Sequence, residues 1–479
     1  MNYRMLGYLL GIIMLIEAAL MVLPLITAAI YGESVLPFLI TMAILLVIAA
    51  PLVLFKPKNT RIYAKEGFVT AASAWLILSV FGALPFMFSG AIPHFIDAFF
   101  EIVSGFTTTG SSILKEVESL PKGILFWRSF SHWVGGMGVL VFMLAILPAD
   151  NGHAMHLLRA EVPGPTKDKI VPKMRHTALI LYTIYFCLTI VLIVALLFTG
   201  MPLFDSLVNS FAVAGTGGFS VKNASIGAYN NPAAEWVMGI FMVVFGVNFN
   251  MYFLLLMKRF KDVLKNEELR AFLLICITAT VAIAINTRSY YPSLGDTVRT
   301  AFFQVTAIIS TAGFATTNFD LWPSFSKTIL LLLMILGSSA GSTAGGMKIS
   351  RVLLVFKNIF RNIKQMARPR SVNIVRMDGD PVTIDTLRAT TNYVSIYFAW
   401  LAISVLLISL DGFDFETNFS AALTCLSNVG PGFSVVGPTG NFSGFSYFSK
   451  LLLSFSMLVG RLEFMPMLIL FSPATWRKN

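Results

Sequence analysis

Four turns in this chain combine residues able to replace an ion's water shell with oxygen atoms. In each, an acidic or polar residue opens a short apolar segment, and thirteen residues later a glycine sits in a Thr/Asn-rich turn. The copies are Asp97–Gly110 (DAFFEIVSGFTTTG), Asp205–Gly218 (DSLVNSFAVAGTGG), Thr300–Gly313 (TAFFQVTAIISTAG) and Thr417–Gly430 (TNFSAALTCLSNVG). Backbone carbonyls can line an ion path when successive peptides turn inward, and glycine allows the left-handed dihedrals this requires. The candidate ligands are Thr108, Thr109 and Gly110; Thr216, Gly217 and Gly218; Thr311, Ala312 and Gly313; and Asn428, Val429 and Gly430. A single Thr-Gly turn reads as an ordinary loop. Four at one spacing from a helix start read as rings of carbonyls around a pore.

The elements that must hold such turns are readable from composition. The chain has 479 residues, 56% hydrophobic and only 12% charged, about half the charge fraction of a soluble protein. Apolar runs of spanning length recur at roughly 6–31, 35–56, 68–90, 125–148, 177–200, 235–257, 268–288, 326–361, 390–411 and 447–472, which predicts ten crossings. The first run is too long for a signal-peptide core and reads as a retained span, with Glu17 turned toward protein. The four short segments, about 94–109, 203–216, 296–312 and 415–428, fall in loops on the outer side.

The fold expected is an all-α polytopic membrane protein. Four helix–short helix–turn–helix repeats surround a quasi-four-fold pore, preceded by a two-helix hairpin. The expected divisions are 1–60 for the hairpin and 61–158, 159–262, 263–375 and 376–479 for the repeats. All repeats have the same orientation, whereas many carriers are built on inverted repeats.

The net charge of +11 follows topology. Alternating the spans puts 26 of the 35 Lys and Arg on one side and 8 on the other, with Arg461 inside a span. That asymmetry predicts a multi-pass cell-membrane protein with both termini cytoplasmic, and it argues against nucleic acid as the partner. Docking of an acidic cytoplasmic partner or anionic lipid is a secondary reading. Cys187, Cys276 and Cys425 lie apart in apolar segments, and no CxxC motif occurs. No paired-carboxylate, Ser-His-Asp or HExxH arrangement sits in a credible context, so an enzyme is disfavoured. His132 reads as a hydrogen-bonded packing residue, and His153 and His156 complete no metal site.

Two further features sit near the expected pore. The eighth span carries Gly337, Ser338, Ser339, Gly341, Ser342, Thr343, Gly345 and Gly346, followed by Met347 and Lys348. A helix break there would free hydroxyls and carbonyls for ion binding or gating; close helix packing through small residues is the alternative. Met347 and the membrane context exclude a phosphate loop. Arg461, in VGRLEFMPM, is a costly charge in an apolar span. It reads as an electrostatic barrier to cations below the turns, or as half of a structural ion pair with another helix. Glu463 is too close in sequence to pair with it on one helix face.

These motifs resemble the Trk/Ktr/HKT superfamily of potassium transporters: the TTTGSS, GTGGFS, STAGFATTNFD and SNVGPGFS turns, GSSAGSTAGGMKISR and GRLEF. The extra hairpin makes the chain most similar to the TrkH-like branch. The resemblance implies K⁺ as the transported ion, with the four glycine turns as the filter and Gly337–Lys348 and Arg461 as gating elements. It further implies a homodimer with one pore per protomer and a cytoplasmic nucleotide-binding (TrkA-like) regulatory subunit. Glycine at all four positions resembles the potassium-selective members. A sodium-permeable or sodium-coupled transporter on the same scaffold is the runner-up, and a carrier for an unrelated solute comes third.

Overall fold

Lipid offers no water to a bare backbone, so the long apolar runs fold as helices. The computed structural model describes residues 1–55, 57, 64–138 and 174–476. The hairpin is α1 (Tyr3–Leu20), continued by α2 (Val22–Ile30), and α3 (Leu36–Leu54). Repeat one holds α4 (Ala64–Gly82), α5 (Leu84–Phe88), the short helix α6 (Phe95–Phe106) and α7 (Lys122–Gly136). Repeat two holds α8 (Met174–Phe198), the short helix α9 (Leu203–Gly215), α10 (Pro232–Gly246) and α11 (Phe249–Leu256), with α12 (Phe260–Lys265) following. Repeat three holds α13 (Glu267–Asn286), the short helix α14 (Leu294–Ile309), α15 (Ser324–Leu336) and α16 (Ile349–Ala367). Repeat four holds α17 (Ile384–Ile408), the short helix α18 (Phe415–Ser427), α19 (Tyr447–Leu462) and α20 (Phe464–Phe471).

Among the described residues, six segments are continuous, long and apolar enough to cross a membrane: Tyr3–Ile30, Leu36–Leu54, Lys65–Phe88, Ala178–Phe198, Glu267–Asn286 and Ile384–Asp411. They are the two hairpin members and the first helix of every repeat. The second helices behave differently: two runs expected as continuous spans are broken. The run expected over 235–257 is two helices meeting at 88°. Val247 is extended there, and the Asn248 side chain accepts from Asn250 N to start α11 afresh. The run expected over 447–472 breaks at Glu463, at φ +68°. The break expected in the eighth span is present, between Gly337 and Lys348. The second half of the expected fourth span, 139–148, lies outside the described residues, as do His153, His156 and the basic loop that opens at Arg159.

The repeats close into a ring because each second helix packs on the short helix of the next repeat. α7 lies on α9, α10 on α14, α15 on α18, and α19 returns to α6. Caps set where the short helices begin: Ser293 accepts from Asp296 N ahead of α14, and Asp414 accepts from Thr417 N ahead of α18. Asp97 and Asp205 occupy the first turns of α6 and α9, where the helix dipole favours negative charge. Glu17 is fully buried, as expected. It lies close to Gly82 on α4, and neither of its carboxyl oxygens has a hydrogen-bond partner among the described residues.

Candidate functional site

The four turns share one backbone solution. The residue two before each glycine is left-handed: Thr108 at φ 55°, Thr216 at 57°, Thr311 at 58° and Asn428 at 56°. The glycines follow at 84°, 78°, 67° and 102°. Each turn is tied back to its short helix. Thr109 N donates to Ser104 O, Gly217 N to Ala212 O, Gly313 N to Ala307 O and Val429 N to Thr424 O, all at 2.8–2.9 Å. The C-terminal ends of the short helices, with their partial negative charge, therefore sit at the turns, an arrangement that favours a cation.

The turns also touch one another in a closed cycle. A Cβ built on Gly110 would lie 1.9 Å from Gly217 O, one on Gly218 2.0 Å from Ala312 O, and one on Gly313 2.0 Å from Val429 O. One on Gly430 would lie 2.8 Å from Thr109 O. Each glycine thus leaves room for the carbonyl of the residue preceding the next repeat's glycine. The sequence's twelve candidate ligands are brought together in this ring. The side chains brace it: Asn428 Nδ2 donates to Thr109 Oγ1 and to Met457 O, both at 2.9 Å, and Thr216 Oγ1 donates to Gly215 O at 2.6 Å.

His132 stitches repeats one and two together behind the turns. Its Nδ1 donates to Gly105 O at 2.7 Å, and its Nε2 accepts from Phe219 N at 3.3 Å. Both ring nitrogens are engaged with backbone, so the packing reading holds. In the loop between α6 and α7, Glu118 accepts from Asn223 N and from Lys222, and these bonds hold its carboxyl below the usual range.

The segment Gly337–Lys348 is packed against the base of the ring. Gly345 N donates to Thr311 Oγ1 at 2.8 Å, and Ser338 Oγ donates to Ile309 O at 2.8 Å. Thr343 Oγ1 donates to Phe245 O at 3.3 Å, and Gly341 O accepts from Phe249 N at 3.0 Å, so the segment also fills the elbow between α10 and α11. Lys348 Nζ folds back onto Ala344 O. Glu268 on α13 accepts from Ala340 N at 2.7 Å and Ser350 N at 2.9 Å, clasping both limbs of the segment. Sequence reasoning missed Glu268 and the α10–α11 elbow.

Arg461 reaches across the structure. Its Nη1 donates to Thr343 O, and its Nη2 to Gly135 O and Gly136 O, all at 2.6 Å. Repeat four is thereby tied to the C-terminal end of α7 in repeat one and to the intramembrane segment of repeat three. The carbonyls at a helix C-terminus are a natural seat for a cation. Glu463 pairs instead with Arg351 on α16, whose guanidinium lies 3.9 Å from the Tyr393 ring centroid.

A quasi-four-fold ring of glycine turns, each at the end of a half-length helix and backed by an intramembrane segment, defines a cation-conducting class of polytopic membrane protein. The chain belongs to the TrkH family, described as cation transport proteins, whose model matches residues 37–478. It is 36% identical over 486 residues to the Trk system potassium uptake protein TrkH of Salmonella typhimurium, with both chains covered fully. It is 32% identical to the Trk system potassium uptake protein TrkG of Escherichia coli, with 99% of each covered. The crystal structure of the potassium transporter TrkH from Vibrio parahaemolyticus superposes with a TM-score of 0.89 at 31% identity, covering all of both chains.

Proposed function

We propose that this chain is the ion-conducting membrane subunit of a potassium uptake system. The observation that carries the reading is the closed cycle in which each turn's glycine makes room for a carbonyl of the next. Such a ring supplies oxygens from four sides and no net charge, which suits a monovalent cation passing in and out. An inside-negative potential supplies about 2.3 kcal/mol per 100 mV to each entering ion, so uptake needs no chemical step in this chain.

In this reading Thr108 to Gly110, Thr216 to Gly218, Thr311 to Gly313 and Asn428 to Gly430 form the filter. Gly337 to Lys348 gate the path below it, and Arg461 adds a positive barrier. The relatives' description as parts of a Trk system supports a multi-component assembly. We infer a homodimer in the cytoplasmic (inner) membrane, with both termini inside and a nucleotide-binding regulatory subunit docked on the basic cytoplasmic face. The repeat divisions at 60, 158, 262 and 375 are kept as the working domain boundaries.

The test is flux in liposomes holding the purified protein. Voltage-driven K⁺ entry that exceeds Na⁺ entry supports the reading. Equal K⁺ and Na⁺ entry points to the sodium-permeable alternative. Absence of any cation flux, with and without a cytoplasmic partner, refutes it.

A further inference from the structure

Behind the first two turns lies a buried ion pair that the conducting ring does not itself use. Glu101 on α6 and Arg128 on α7 are 0% and 4% exposed, with Nε 2.6 Å from Oε1. The Glu101 carboxylate also accepts from Ser112 Oγ and from Ile113 N, each at 2.9 Å. Those residues are two and three places beyond Gly110. Arg128 Nη1 donates to Ser220 O at 3.2 Å, and its guanidinium carbon lies 3.5 Å from the centre of the Phe219 ring. Those residues are one and two places beyond Gly218. One pair therefore holds the outgoing strands of two adjacent turns. From the other side, Ser111 Oγ donates to Gly430 O at 3.1 Å and Phe442 N donates to Ser112 O at 2.8 Å.

The other repeats brace their turns differently. Nine residues before each glycine stand Glu101, Asn209, Gln304 and Ala421. Gln304 makes the neutral version of the contact, with Nε2 donating to Thr316 Oγ1 at 3.2 Å. Asn209 turns instead to Tyr229 and Met201. In repeat four the neighbouring Ser420 takes over, accepting from Phe433 N at 2.9 Å. Charge-assisted bonds are about twice as strong as neutral ones, so the half of the ring made by repeats one and two is held more stiffly than the rest.

We propose that Glu101 and Arg128 are specificity-determining positioning residues, which set the ring's width by clamping the strands after Gly110 and Gly218 to each other. The inference rests on the reading of the ring as the filter. A buried pair is a weak source of net stability, since its Coulomb gain only offsets desolvation. Its measurable contribution is geometry. Loosening the clamp lets two of the four carbonyl sources shift, and a smaller cation then finds closer ligands.

The experiment compares K⁺ and Na⁺ flux per folded protein in liposomes, with Gly110→Ser as reference. The double variant Glu101→Gln/Arg128→Met leaves no lone buried charge. It should keep K⁺ flux while the K⁺/Na⁺ ratio falls about tenfold, the equivalent of one charged hydrogen bond. Arg128→Lys keeps the charge but loses the fork and the ring stacking, and should fall part of the way. Ser112→Ala removes one bond with no change of charge, folds even where the double variant does not, and should lower the ratio about threefold. An unchanged ratio in the folded double variant, or in Ser112→Ala where the double variant does not fold, overturns the proposal. So does a native ratio in Arg128→Lys, or an equal loss of both fluxes. If Gly110→Ser shifts the ratio and these variants do not, the clamp is wrong and the filter stands. If none shifts it, the filter reading falls.

Discussion

Lys450 and Asp97 stand 353 residues apart in sequence and form a 2.6 Å ion pair that joins the last repeat to the first. Lys450 is in the first turn of α19, and Asp97 is in the first turn of α6. The other three seams carry their own version at the same level. Glu235 on α10 pairs with Arg299 on α14 at 2.8 Å, and Lys327 on α15 with Glu416 on α18 at 2.6 Å. Lys122 on α7 lies 4.9 Å from the centre of the Phe204 ring at the start of α9. Each second helix thus holds the N-terminal part of the next repeat's short helix.

Removing one partner at the closing seam should cost more than removing both. Lys450 is only 5% exposed, and Lys450→Ala leaves Asp97 poorly compensated. A penalty of about 3 kcal/mol is expected for breaking such a pair. Lys450→Ala should lower the unfolding temperature in detergent more than Lys450→Met/Asp97→Asn does. Equal losses in the two proteins would mean that the pair contributes packing only.

The glycine ring makes a graded prediction. A Cβ at 110, 218 or 313 would meet a carbonyl at 2.0 Å or less, whereas one at 430 has 2.8 Å. Alanine at any of the first three should derange the ring and lower the K⁺/Na⁺ flux ratio, and Gly430→Ala should be the mildest of the four. Gly110→Ser, Gly218→Ser and Gly313→Ser should each lower the K⁺/Na⁺ flux ratio. Native selectivity in all three would refute the filter assignment.

What the sequence disclosed, and what it did not, divides on distance along the chain. The turns were legible because four local copies share one spacing, and the break at Gly337 because small residues crowd one span. The break at Val247 was hidden, since FGVNFN offers only one glycine and two asparagines inside an apolar run. Glu463 was misleading for another reason: its partner, Arg351, lies 112 residues away on α16. A small hairpin, β1 (Arg376–Met377) and β2 (Asp380–Pro381), went unread in the polar linker, although Asp378-Gly379 is a strong signal for a two-residue turn. The seams between repeats, and Glu268's grip on the intramembrane segment, depend on which helices become neighbours, and no local pattern encodes that.

The intramembrane segment is the next test. Deleting part of Gly337–Gly346 should raise basal flux if the segment obstructs the path. Glu268→Ala offers a gentler probe, because it releases Ala340 N and Ser350 N together. It should also raise basal flux, while Glu268→Gln keeps an acceptor oxygen and should stay near native. Folded deletion proteins with unchanged or lower flux would end the gating idea. A Gln variant as leaky as Ala would show that charge, rather than the hydrogen bonds, is what holds the segment.

Arg461 combines two properties, a charge and a rigid fork. As a barrier, its charge would oppose cations: for an assumed separation of about 8 Å and an effective dielectric of about 20, the penalty would be about 2 kcal/mol, or about thirtyfold in occupancy. Its fork also ties Thr343 to Gly135 and Gly136. Charge alone would make lysine a faithful substitute. The three carbonyls revise that expectation, because one ammonium on a flexible stem does not reproduce a rigid fork spanning two elements. Arg461→Ala should increase K⁺ flux per folded protein, both by removing the barrier and by freeing the segment. Arg461→Lys should fall between native and Ala. Flux in liposomes, normalised to correctly folded protein, is the measurement. A fall in flux for well-folded Arg461→Ala would leave Arg461 as a structural tether and remove it from the conduction barrier.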